Sequence, residues 1–244
     1  AGRERSIGEL FSAVGLALGD AIDVALRDLG RKTDVEPDLV LDDGTAQVEA
    51  KIDAVAEVRL RVDRSSLVGG PLGSGKSTTV ASLLSAIARG RSGHLLTLED
   101  PTEYLFQQMA SSLVAQIEIG TDYPSFKDAF AAAMAQDPDV LMISELTGLD
   151  AIESAIEAAE TGRLVIAASP SRSIAKAIAR LVDAYPPETQ PRARARVADV
   201  LEAVTCQTIA ARLDAGGARR VACEVVTADA GLRFRVRDGS ALLE

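Results

Sequence analysis

A glycine-rich run in the first third of the chain carries the clearest chemistry. The run Gly70-Pro-Leu-Gly-Ser-Gly75-Lys76-Ser77 matches the pattern G-x-x-x-x-G-K-[ST] at every fixed position. Glycines let consecutive backbone N–H groups turn toward phosphate oxygens, and a helix that starts after them points its N-terminal dipole at the anion. The pattern therefore predicts binding of a nucleoside triphosphate by Gly70, Gly73, Ser74, Gly75, Lys76, Ser77 and Thr78.

Two side chains of this run have separate expected roles. Lys76 neutralises the β- and γ-phosphate oxygens, and the Ser77 hydroxyl coordinates Mg²⁺, so ATP with Mg²⁺ is the expected ligand. The alternative is a glycine-rich turn before an ordinary helix, which the order of the following elements disfavours. Only Leu67 and Val68 precede the glycines, so either the strand extends back through Arg61–Ser66 or residues are missing from the sequence as given.

From about residue 66, apolar runs of strand length alternate with helical segments. This alternation predicts an α/β fold, with a parallel sheet covered by helices on both faces. The expected strands are Leu95–Leu98, Val114–Ile119, Val140–Ile143 and Leu164–Ala168, and the expected helices begin at Lys76, Ser125, Asp150, Ser171 and Arg192. Three later runs predict an antiparallel addition, with a Gly216-Gly217 turn after the first of them: Thr205–Leu213, Arg220–Val226 and Leu232–Val236.

The first 64 residues have a different pattern. A capping box at Ser6–Glu9 begins a stretch of helical periodicity, and an alternating run at Glu57–Asp63 indicates a half-exposed strand. We therefore expect two domains, a small α+β domain over residues 1–64 and the P-loop domain over residues 65–244.

Composition excludes several classes of function. The 244 residues carry a net charge of −10, which argues against general affinity for nucleic acid. Cys206, Cys223 and the single histidine, His94, do not have the spacing of a zinc site. No apolar run approaches the length of a membrane span, and the polar N-terminus does not resemble a signal peptide, so a cytoplasmic location is expected.

Several motifs together resemble one family, the type IV pilus retraction and type II secretion ATPases. The matching runs are GPLGSGKSTT (70–79), TLEDPTEY (97–104), DPDVLMISE (137–145) and AAETGRLV (158–165), in the family's order and spacing. The resemblance implies a RecA-like P-loop ATPase core, a small PAS-like N-terminal domain and a ring-shaped homohexamer. It also implies an inner-membrane platform protein as the partner.

The resemblance assigns catalytic roles to three carboxylates. Glu99 and Glu103 match the family's acidic box and would face the γ-phosphate, its Mg²⁺ or the attacking water. Glu145 matches the Walker B glutamate, so it would be catalytic and, with Ser77, linked to the metal, although Ser144 stands where an aspartate is usual in other P-loop proteins. For Glu99 or Glu103 taken alone, a solvated loop charge is the alternative interpretation.

The chain departs from the family's pattern at several polar positions. Pro170 stands where the family has the histidine that ends its strand, and Arg163, Ile117 and Thr147 replace a histidine and two arginines. Two hypotheses follow: a slow ATP-hydrolysing motor subunit, or a degenerate nucleotide-binding regulatory or structural paralogue. Three arginines in the N-terminal module could serve a neighbouring subunit's nucleotide or simply line a solvated strand edge: Arg59, Arg61 and Arg64.

Overall fold

The structure, a computed structural model, describes residues 65–90, 92–106, 112–211 and 219–240. The expected α+β domain at residues 1–64 and the expected Gly216-Gly217 turn lie outside the described residues. Among those that are described, no helix is long and apolar enough to cross a membrane.

One sheet of seven strands organises the described part of the chain. The strands are β1 Ser65–Gly69, β2 Gly93–Glu99, β3 Ser112–Glu118, β4 Val140–Ile143, β5 Leu164–Ser169, β6 Leu201–Ala211 and β7 Arg219–Thr227. Their order across the sheet is β3-β2-β4-β5-β1-β6-β7. The first six strands in this order pair in parallel, and β7 pairs with β6 in antiparallel fashion. The predicted parallel sheet is confirmed, and so is the antiparallel pairing of the first two of the three later runs.

In the described residues, six helices connect or flank these strands. They are α1 Lys76–Gly90, α2 Phe126–Met134, α3 Gly148–Glu160, α4 Ile174–Asp183, α5 Gln190–Val200 and α6 Ala230–Asp238. Every expected helix start lies within three residues of the observed one. The largest difference is at α4, where the side chain of Ser173 accepts a hydrogen bond from the backbone of Lys176 and so sets a later start than the expected Ser171.

The sheet is buried on both faces, as a parallel sheet requires. On one face, the apolar side of α1 packs against strand residues such as Val68 and Leu95. On the other face, residues of α2 to α6 pack against Leu67, Leu96 and their neighbours. Successive residues Leu67 and Val68 therefore point into opposite halves of the core, which places β1 in the middle of the fold.

The segment Leu232–Val236, which we predicted as a strand, is part of α6, so that prediction is wrong. The Asp229 side chain accepts a hydrogen bond from the backbone of Leu232, and Gly239 ends the helix with a φ angle of 78°. Leu232 and Val236, four residues apart, are both buried in the core, whereas Phe234 is 67% exposed. The apolar residues thus follow the period of a helix, with α6 lying against α5.

Strand β6 sets the position of β1. It pairs in parallel with β1 on the side opposite β5, with Leu67 beside Val204 and Gly69 beside Cys206. The short strand that leads into the glycine-rich loop is therefore an interior strand, supported on both sides. Residues 61–64, through which one of the two alternatives extends the strand, lie outside the described residues.

Candidate nucleotide-binding site

The loop between β1 and α1 turns at glycines where a side chain would clash or be strained. A Cβ at Gly70 would lie 2.2 Å from Ser74 Oγ and 2.7 Å from the backbone oxygen of Gln207. Gly73 and Gly75 have φ angles of 74° and 86°, in the left-handed region that favours glycine. The spacing of glycines in the sequence motif therefore follows from the path of this loop.

A buried glutamine of β6 holds the loop against the sheet. Gln207 is 2% exposed, and its Nε2 donates to the backbone carbonyl of Ser74 at 2.7 Å. Its Oε1 accepts from the hydroxyl of Thr79, on the first turns of α1, at 2.8 Å. The sequence motifs assign no chemical role to Gln207, and an amide in a mostly apolar strand is a signal that could have found it.

Lys76 begins α1 and reaches back over the loop. Its Nζ donates to the backbone carbonyl of Pro71 at 3.2 Å. The first turn of α1 contains no acidic residue, so no carboxylate competes there for the positive end of the helix dipole. The ammonium group and the N-terminal N–H groups of α1 thus form a positive, partly enclosed region suited to an anion.

Two hydroxyl groups at the start of α1 contact the segment that follows β2. Ser77 Oγ donates to Glu103 Oε1 at 3.0 Å. The hydroxyl groups of Thr78 and Tyr104 share a hydrogen bond of 2.7 Å. The structure therefore brings together two residues that the sequence had assigned to one site, Ser77 and Glu103, from positions 26 residues apart.

Glu99 lies deeper than Glu103, at the end of β2. It is 3% exposed, and its Oε1 accepts hydrogen bonds from Thr97 at 2.7 Å and from Gln116 at 3.0 Å. Its Oε2 lies 3.4 Å from the backbone nitrogen of Glu103. Glu99 is therefore a fixed, hydrogen-bonded carboxylate, and one of its contacts helps to position the exposed Glu103.

Gln116 of β3 also holds the segment that contains Glu103. Its Nε2 donates to the carbonyl of Tyr104 at 2.8 Å, and its Oε1 accepts from the backbone of Phe106 at 2.9 Å. Because the same amide donates to Glu99, one side chain ties the end of β2 to the segment that follows it. This glutamine is a second positioning group, and the sequence motifs had assigned it no role of its own.

Glu118, at the end of β3, fixes the same segment at its other end. It accepts hydrogen bonds from the Thr121 side chain at 2.7 Å and from the Thr102 backbone at 3.1 Å. These two bonds, in that order of importance, lower the pKa of Glu118. The carboxylate is therefore ionised at neutral pH and keeps its acceptor role.

Glu145 follows β4 at the same edge of the sheet. It is exposed, and the residue before it, Ser144, is fixed by two contacts with the end of β2. The Ser144 backbone donates to the carbonyl of Leu98 at 2.9 Å, and its hydroxyl accepts from the backbone of Asp100 at 3.2 Å. Glu145 thus lies at the carboxyl edge of the parallel strands, where ligands of open α/β sheets bind.

The segment after β5, which contains Pro170, borders the start of the loop. The backbone N–H of Gly70 donates to the carbonyl of Ser169 at 3.2 Å. The hydroxyl groups of Ser169 and Ser171 lie 3.1 Å apart, and Cys206 Sγ lies 3.3 Å from the carbonyl of Ser171. The position at which the family pattern calls for a histidine is therefore adjacent to the loop.

The other replaced positions have ordinary surroundings. Arg163 precedes β5, at the edge of the sheet away from the loop, and pairs with Asp137 at 2.6 Å. Ile117 is 6% exposed and packs in the core. Thr147 is an exposed residue before α3.

Comparisons with a family model and with known proteins all point to one family. The family model described as "Type II/IV secretion system protein" matches residues 20–237. The "Type IV pilus retractation ATPase PilT" of Pseudomonas aeruginosa is 37% identical over 172 residues, which is 70% of this chain and 49% of the relative. The "Twitching motility protein" of Neisseria gonorrhoeae is 36% identical over 172 residues, covering 70% of this chain and 46% of the relative. The chain thus spans about half the length of the curated relatives it matches.

Solved structures agree with this assignment. The crystal structure of the pilus retraction motor PilT with bound ADP matches 82% of this chain and 55% of its own, with a TM-score of 0.70 and 35% identity. The Legionella pneumophila ATPase DotB matches 77% of this chain and 52% of its own at a TM-score of 0.67; at 24% identity it supports the fold alone. By sequence and by fold, this chain belongs to the type II/IV secretion system protein family.

Proposed function

We propose that this chain binds ATP with Mg²⁺ at the Gly70–Thr78 loop and hydrolyses it as a motor subunit of a type IV pilus or type II secretion-like machine. The observation that carries the proposal is the assembled loop: its glycine turns, Lys76 and the dipole of α1 meet at the carboxyl edge of a parallel sheet. ADP bound to the PilT structure supports an adenine nucleotide as the ligand.

Lys76 and the start of α1 would hold the phosphates. The ammonium group can exchange its contact with the Pro71 carbonyl for charged phosphate oxygens, which bind a cation more strongly than a neutral carbonyl does. The N–H groups of the loop and of the first helical turn supply further donors. The described residues therefore supply both a cation and N–H donors for the phosphates.

The donors beside the loop fit Mg²⁺. Ser77 Oγ and Glu103 Oε1 lie 3.0 Å apart and are both hard oxygen ligands. Magnesium is usually held by one or two protein oxygens together with substrate phosphates, so a hydroxyl and a carboxylate suffice. When bound, the ion would neutralise charge on the β- and γ-phosphates. Glu145, at the same edge of the sheet, would hold the ion's water ligands.

The acidic residues divide into holding and reacting roles. Glu99 is buried and occupied by three hydrogen-bond donors, so it orients the segment that carries Glu103. Glu103 and Glu145 are exposed and can accept hydrogen bonds from a water molecule. A carboxylate that orients the attacking water is the group that this chemistry requires. We therefore assign water positioning to Glu103 or Glu145.

A degenerate nucleotide-binding paralogue is the second candidate function. Pro170, beside the loop, cannot donate or accept through a side chain, and the buried Ile117 cannot replace an arginine. Charge-countering groups of that kind contribute about 10³–10⁵ in rate where they have been measured. Such a paralogue would still bind the nucleotide through Lys76 and Ser77 but would hydrolyse little or none of it.

Steady-state phosphate release distinguishes the two functions. Wild type should release phosphate from Mg²⁺-ATP faster than Lys76→Ala, which should lose binding as well. If Glu145 rather than Glu103 positions the water, Glu145→Gln should keep binding and release phosphate about 10²–10⁴ times more slowly, the usual contribution of a group that handles a proton or a water. If wild type binds ATP but releases phosphate no faster than Lys76→Ala, the paralogue function is correct and the motor function is not.

Assembly into a homohexamer that acts on an inner-membrane platform protein is also part of the proposal. The family assignment supports it, since the named relatives are pilus and secretion proteins. A partner in the membrane would place this chain at the cytoplasmic face. Mass in solution with and without a non-hydrolysable ATP analogue tests the ring, and a strict monomer in both conditions would contradict it.

A further inference from the structure

The buried side chain of Gln207 connects the glycine-rich loop to β6, the strand next to β1. Ser74, Thr79 and Gln207 are each at most 2% exposed. The amide uses both of its ends, as a donor to the Ser74 carbonyl at 2.7 Å and as an acceptor from the Thr79 hydroxyl at 2.8 Å. Loop, helix and strand therefore meet in one buried, hydrogen-bonded contact.

The direction of the amide is fixed by its partners. The backbone oxygen of Ser74 can only accept, so the nitrogen of Gln207 must face it. The oxygen of the amide then faces Thr79, whose hydroxyl donates to it. Thr79 thus keeps Gln207 in the orientation that can hold the loop.

The hydrogen bond from Gln207 to the Ser74 carbonyl also fixes the direction of the Gly75 backbone N–H. The only cis peptide bond among the described residues is Asp100-Pro101, so the peptide between Ser74 and Gly75 is trans. In a trans peptide the C=O and N–H groups point in opposite directions. Because the carbonyl points toward β6, the N–H of Gly75 points away from β6.

We propose that Gln207 is a positioning residue for phosphate recognition, which acts by fixing the Ser74–Gly75 peptide so that the Gly75 N–H faces the nucleotide phosphates. Thr79 supports it by orienting the amide. This inference rests on the proposed function, because it requires that the loop bind a nucleotide. It extends that function by giving β6 a part in phosphate binding.

Nucleotide affinity of the 244-residue chain tests the proposal, measured with a fluorescent ATP analogue and Mg²⁺. Gln207→Met keeps the size of the side chain and removes both hydrogen bonds, and it should weaken binding about tenfold, the equivalent of one hydrogen bond to an anion. Gln207→Glu should weaken binding further, since its carboxylate faces the Ser74 carbonyl. Thr205→Val is the matched control: it lies two residues earlier on β6, is equally buried, and its hydroxyl has no partner among the described residues.

A double-mutant cycle separates positioning from mere structural support. Thr79→Val should weaken ATP binding, Thr79→Ser should restore it, and Thr79→Val should cost nothing more in the Gln207→Met background. If Gln207→Met does not fold, the ATP affinities of Thr79→Val and Thr79→Ser alone test the proposal. Wild-type affinity in Gln207→Met or Thr79→Val, or an equal loss in Thr205→Val, would overturn the inference. Failure of wild type itself to bind ATP better than Lys76→Ala would instead refute the proposed function.

Discussion

Replacement of Gly70 by alanine should greatly lower the affinity for nucleotide without unfolding the chain. The new Cβ would lie 2.2 Å from Ser74 Oγ and 2.7 Å from the backbone oxygen of Gln207. The serine hydroxyl can rotate away, but the Gln207 carbonyl belongs to β6, which is paired on both sides. Ordinary contact begins at 3.4 Å, so the loop must shift by about 0.7 Å.

The expected magnitudes follow from this shift. Overpacking of a well-packed site costs about 1–3 kcal/mol of the free energy of unfolding. Displacement of one loop N–H from an anion loses a hydrogen bond of about 1.5–3 kcal/mol, which corresponds to a roughly 10- to 100-fold weaker Kd. Titration with a fluorescent ATP analogue measures the affinity, and chemical unfolding measures the stability.

A second glycine provides the control. Gly162 has a φ angle of 91°, a Cβ added there would meet nothing within 4 Å, and the residue lies between α3 and β5, away from the loop. Gly162→Ala should therefore lose about 1–2 kcal/mol of stability through backbone strain and keep wild-type affinity. Wild-type affinity in Gly70→Ala would refute the reasoning, because it would mean that the close approach of loop and strand does not shape the site.

Three further predictions concern the scaffold. Asp229→Ala, which removes the cap that accepts from the Leu232 backbone, should lower the free energy of unfolding by about 1 kcal/mol in a denaturant titration. Hydrogen bonds from Arg196 lower the pKa of Glu160 from its usual 4.5. The stability that these bonds give the folded protein is therefore complete above about pH 4.5 and is lost as the pH falls through the lowered pKa. The stability difference between wild type and Arg196→Gln, measured by thermal unfolding from about pH 7 to 3, should therefore narrow below about 4.5. Burial raises the pKa of Cys223 to about 12, so the native protein should resist alkylation at about pH 8 while the unfolded chain reacts.

Each of these predictions has its own control. Asp238→Ala, at the other end of α6, should leave stability within about 0.5 kcal/mol of wild type, and an equal loss at both ends would count against the cap. Arg172→Gln changes a different, exposed arginine, and its difference in stability from wild type should be the same at every pH. Mass spectrometry measures the alkylation, and rapid reaction of Cys223 in the folded protein would contradict its burial. Cys206 is also buried and should resist alkylation in the same way.

Local patterns in the sequence were sufficient to predict most strands of the sheet and the glycine-rich loop. The strand Val140–Ile143 and the helix start at Lys76 are observed as expected, because each is encoded by neighbouring residues. The C-terminal helix α6 was missed because Leu232–Val236 alternates apolar and charged residues, which also fits a strand. The cap at Asp229 and the glycine at 239 were the local signals in favour of a helix.

The parts of the site that the sequence did not reveal depend on distant pairing. Thr79 and Gln207 are 128 positions apart, and each would be unremarkable in a strand or helix taken alone. Gln116 similarly acts on Glu99 from the neighbouring strand, 17 positions away. No periodicity within one segment reports such contacts, since they arise only when the strand order is known.

The place of β6 beside β1 also sets the order in which the site can form. The loop is synthesised early, but the amide that fixes it comes 128 residues after Thr79, and the strand that carries it must find β1 across that distance. Closing so long a loop costs conformational entropy that local helices do not have to overcome. We therefore expect the phosphate loop to be among the last parts of this domain to become rigid, and a nascent chain that ends before residue 207 to have the complete motif without a nucleotide site of native affinity.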